Sequence, residues 1–153
     1  MDRKELMDKK RKIVFATPVV RNMKSLKFIE FLSDEFILKN QIDQEMKKAI
    51  LIDSVPQFSL SNKCPVNEFH DWIEDKIKDK TRNGQWLVLI HNTKVSIWGR
   101  FEISNRIEAI KELIELFGDF YIVDLSLLNL VILFNEEHNY ELFITGLTEE
   151  KEK

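Results

Sequence analysis

Cysteine occurs once in this 153-residue chain, at Cys64. One thiol closes no internal disulfide and builds no cysteine-rich zinc site. It fits a reduced intracellular thiol. A nucleophilic cysteine would need a base, and His70, six positions on, is only a chain neighbour. Cys64 therefore reads as structural or incidental. Glycine and proline are also scarce, at four and three. That scarcity argues against a sandwich of many short strands joined by tight turns. Gly84, Gly99, Gly118 and Gly146 stand alone, so neither a dinucleotide loop nor a Walker-type phosphate loop exists. Long apolar runs are missing too. Leu127 to Phe134 is far too short to span a bilayer, and Asn129 breaks it. Met1 to Lys12 is charged throughout and no apolar core follows, so no secretion signal is visible. The expectation is a cytoplasmic protein with no membrane contact.

What is present is ordinary globular material: 44% hydrophobic and 32% charged residues, with eleven Phe and three Trp for a core. The length suits one domain, 1–148, followed by a charged and disordered tail, 149–153. The charge is unevenly divided. Residues 1–100 hold 19 Lys+Arg against 14 Asp+Glu, and residues 101–153 hold 4 against 12. Such asymmetry speaks about partners rather than fold.

The opening segment interleaves Arg3, Lys4, Lys9, Lys10, Arg11 and Lys12 with Asp2, Glu5 and Asp8. It reads as a solvated helix or arm, with no aromatic side chain to stack on a nucleotide. Met23–Leu38 predicts a helix with a wide apolar stripe. Asp43–Leu51 predicts another, its apolar positions Ile42, Met46, Ala49 and Ile50. Pro56 bars a helical Val55, and residues 54–66 read as a loop. Asn67 is a plausible N-cap for a third helix carrying Phe69, Trp72, Ile73 and Ile77 on one face, stopped by Asn83-Gly84.

The period then changes. Gln85–His91 is an apolar run of strand length, and Val95–Trp98 returns after Asn92-Thr93-Lys94, which predicts a hairpin whose first arm is covered on both faces. Asn105 with Glu108 marks the start of a helix ending at Phe117, and Gly118 its stop. Phe120–Val123, Leu130–Phe134 and Tyr140–Thr145 predict three further strands. The fold class is α+β: a helical N-terminal half and a mainly antiparallel sheet of about five strands, with one long helix, 105–117, packed on it.

Chemistry is harder to find. His70, His91 and His138 lack ligand spacing, and the expectation is no metal and no cofactor. Glu136-Glu137 with Glu141 could do acid–base work only if desolvated. No nucleophile-elbow sequence is present. The acidic C-terminal portion is the best functional clue. Glu108, Lys111, Glu112 and Glu115 lie on the outer side of the capped helix, and Asp119, Asp124, Glu136, Glu137 and Glu141 lie on the sheet beyond it. On one surface they would repel nucleic acid and attract a basic protein. Trp98, followed by Gly99 and Arg100, is the best aromatic candidate for an exposed anchor.

The hairpin from Phe134 to Ile144, with Asn135-Glu136-Glu137-His138-Asn139 at its tip, resembles the terminal hairpins of bacterial immunity proteins of polymorphic toxin systems. The resemblance covers the last third of the chain. It implies a binding protein that occludes a toxin's active site. Joined to the charge reading, the leading expectation is a non-enzymatic, antitoxin-like protein that meets a basic toxin domain through Trp98, Glu136, Glu137 and Glu141. The alternatives are an enzyme with a non-obvious His/carboxylate site and a nucleic-acid-associated protein using the basic N-terminal portion.

Overall fold

A computed structural model describes residues 2–51 and 53–149. Its elements, in chain order, are α1 (Arg3–Arg21), β1 (Lys27–Phe31), α2 (Lys39–Ala49), β2 (Phe58–Ser61), α3 (Val66–Ile77), β3 (Gly84–His91), β4 (Ser96–Ile103), α4 (Arg106–Phe117), β5 (Phe120–Asp124), β6 (Asn129–Asn135) and β7 (Asn139–Gly146). The strands form one sheet in the order β1-β4-β3-β5-β6-β7-β2, and every pairing is antiparallel.

The doubly apolar pattern of β3 explains the layering. Trp86, Val88 and Ile90 enter one core while Leu87 and Leu89 enter a second, because successive side chains leave a strand on opposite faces. The first core is roofed by three helices: Ala16 and Val20 from α1, Phe69, Ile73 and Ile77 from α3, and Ala109, Ile110 and Leu113 from α4. The second is roofed by α2, through Ile42 and Ala49. The chain leaves β1 at one edge of the sheet and enters β2 at the other. The segment carrying α2 therefore straps the second face from edge to edge. No described helix is long and apolar enough to cross a membrane.

The α+β class holds, as do the β3–β4 hairpin and α4. Asn105 accepts from the Glu108 N–H at 3.2 Å, and Gly118 ends α4 at φ +77°. Other expectations are corrected. The sheet has seven strands rather than about five, and the two missed strands are its edges. β1 lies inside the segment expected to be a helix from Met23 to Leu38. Its apolar residues fit either period, and pairing with β4 decides for the strand. A bulge between Phe28 and Glu30 leaves Ile29 exposed. β2 lies in the expected loop and pairs with β7 from far along the chain. The helical N-terminal half therefore also supplies both edge strands. The longest helix is α1, at 19 residues, whereas α4 has 12. α3 starts at Val66, with Pro65 rather than Asn67 in the cap position. Of the expected tail, residues 150–153 lie outside the described residues.

Candidate functional site

The β6–β7 hairpin and the end of α2 meet at one end of the second face. The hairpin tip is closed by the Glu136 N–H donating to the Asn139 carbonyl at 2.9 Å. It is held from outside by Asn62, just beyond β2. The Asn62 side-chain amide donates to the Glu136 carbonyl at 2.7 Å and the Glu137 carbonyl at 3.2 Å, and its backbone N–H donates to the His138 carbonyl at 3.0 Å. The Glu136 and Glu137 side chains are exposed to solvent. Glu141 sits across the ladder from Phe134, so both lie on the α2 side of the sheet.

Ser54 fixes the opposite wall. Its hydroxyl donates to the Ala49 carbonyl at 2.9 Å and its N–H to the Leu51 carbonyl at 3.0 Å. That turn leaves Ile50 65% and Leu51 57% exposed. Between the two walls lies a groove of about 450 Å³, lined by Ile50, Leu51, Phe134, Glu136, Glu137 and Glu141 among others. It combines an apolar side with an acidic one.

Burial governs the electrostatics here, and neighbouring like charges add to it. Partial burial, and then the nearby Glu136, push the Glu141 carboxyl above the usual carboxylate range. Burial, then Asp119 and Glu136, push Tyr121 up to about 12. Tyr121 packs edge-on against Phe134 at 5.8 Å, and Phe134 against Phe143 at 5.6 Å, so the one ring that lines the groove, Phe134, is held in an aromatic row. His138 lies 3.7 Å from Glu137, but both side chains are largely solvated and the pair is weak.

The three expected acids are thus brought together. Trp98 is not with them. It is only 5% exposed, under α2, with Phe36 packed on its edge at 6.2 Å. β4 continues to Ile103 rather than ending near Trp98, so the indole belongs to the second core and offers no surface anchor. The wider acidic surface also divides. Asp124 is buried and Glu112 accepts from the Lys24 and Ser25 N–H groups, so both are structural. α4 carries Glu108 and Glu115 on the face of the sheet opposite the groove. The missed contributors are Ile50, Leu51 and Asn62. Ile50 looked like one more apolar helix position. Its exposure follows from where α2 ends, which sequence periodicity places only loosely.

Among the described residues, no group of three or more His, Cys, Asp or Glu side chains is arranged to hold a metal ion. Cys64 is half-buried against the first core. The chain matches no protein-family model, no curated protein and no solved structure.

Proposed function

We propose that this chain is a protein-binding module, an immunity- or antitoxin-like inhibitor whose acidic groove occludes a basic protein domain. One observation carries the reading. Glu136, Glu137 and Glu141 line a single groove with exposed Ile50 and Leu51 opposite them. Exposed apolar side chains rimmed by charge of one sign suit a protein partner of opposite charge. The apolar wall supplies contact area, and the carboxylates steer the encounter and select the sign of the partner.

The test compares wild type with Glu136→Lys/Glu137→Lys as affinity baits in extract from the cells that make the protein. The wild type should retain a basic protein that the variant loses, with both baits melting at the same temperature. Equal retention would show that the groove does not hold the partner. Expressing the captured protein alone should arrest growth, and adding the wild-type chain should restore it. Undisturbed growth would overturn the inhibitor reading.

A further inference from the structure

The acidic groove has a counterpart on the same molecule. Only the second half of α1 is anchored in the fold: Ala16 and Val20 are buried, and Ile13, Phe15 and Val19 pack partly against the core. Residues 2–8 are exposed. At 3.6 residues per turn, Arg3, Met7, Lys10, Arg11 and Val14 share the face turned away from Ala16 and Val20. All five are exposed, and no acid interrupts them. Met7 is 61% and Val14 73% exposed. Lys12, on the inner side, pairs with Asp34 at 3.3 Å. Among the described residues no acid pairs with Arg3, Lys10 or Arg11.

Cations alternating with apolar side chains at helical spacing suit a groove with an acidic rim and an apolar wall. A molecule cannot close this contact on itself. α1 packs beside β1, β4 and β3, whereas the groove lies on the opposite face at the β6–β7 end of the sheet.

We infer that the groove takes the exposed α1 stripe of a second copy, joining copies head to tail. The inference rests on the reading of the groove as a site for a basic protein surface, and it names this chain as one such partner. A groove of about 450 Å³ admits a few side chains, so the contact is small, weak and reversible. Arm and groove are different surfaces, so each copy offers one of each, and the contact joins copies into an open chain or, where the rotation closes, a ring. Self-association would also cover the groove, so it would compete with any other basic partner.

Sedimentation velocity tests this directly. In low salt the average mass of the wild type should rise with concentration above that of the monomer, and fall to the monomer in high salt. Lys10→Gln/Arg11→Gln and Glu136→Gln/Glu137→Gln should each sediment as monomers. Mixed in equal amounts, one variant's intact arm meets the other's intact groove, and the mixture should stop at twice the monomer mass. Self-association that survives in either variant, or a mixture that stays monomeric, would overturn the inference. A wild type that is monomeric at every concentration would also overturn it. The groove reading would still stand in that case if Glu136→Lys/Glu137→Lys lost the captured basic partner.

Discussion

Asp124 holds more of the fold together than any other single carboxylate described here. It is buried, and it accepts from the Arg82 N–H at 2.6 Å, the Ser126 hydroxyl at 2.7 Å, and the Ser126 and Leu127 N–H groups at 2.8 and 2.9 Å. Asp124→Ala would strand several of these donors, at a cost of about 3 kcal/mol or more. Chemical denaturation should show that loss, and Asp124→Asn should recover part of it. An unchanged midpoint would contradict the role. Glu141 makes the opposite contribution. Its folded pKa lies above its value in the unfolded chain, so folding holds the ionised carboxylate at a cost. That cost is present above the folded pKa and disappears once the pH falls below the ordinary carboxylate range. Glu141→Gln should therefore melt slightly higher than wild type at neutral pH and level with it in acid. The effect is small because the group is solvated. Neither role could be read from the chain alone. Asp124 looked like one more surface acid, because its Arg82 partner is 42 positions away and only the fold joins them. Trp98 misled for the same reason, since its cover comes from Phe36 on a distant segment.

Among the elements, α4 was the most legible, because its signals are local. Its cap, its apolar spacing and its glycine stop all lie within fourteen positions, Asn105 to Gly118. Leu113 is fully buried in the first core, so Leu113→Ala should cost about 2–5 kcal/mol. Gly118→Ala should cost about 1 kcal/mol, since φ +77° strains any residue with a Cβ. Thermal melts would measure both, and no loss at Leu113 would displace it from the core. β3 was legible because burial on both faces leaves an unbroken apolar run. The edge strands were not. β1 is five residues and β2 four, and each is specified by a partner elsewhere in the chain. An edge strand has one neighbour instead of two and half its backbone groups face water, so little in its own composition marks it. The end of α2 was hidden in the same way, and with it the exposure of Ile50.

At the scale of the whole molecule, the sheet separates what the chain joins. The acids of the last third part company, those of α4 to one face and those of the hairpin to the other. The hairpin acids are completed by Ile50 and Leu51 from the first third of the chain. A sequence reading could find the acidic half of the groove and could not find its apolar half. In the proposed function this composite groove steers and holds a basic protein. Stopped-flow association between the chain and the basic protein it captures, followed over a range of salt, tests it most directly. The wild-type rate should fall steeply with salt, and Glu136→Lys/Glu137→Lys should slow the low-salt rate by about tenfold or more. A low-salt rate unchanged by the double reversal, in a variant that melts like wild type, would show that the groove does not steer the partner.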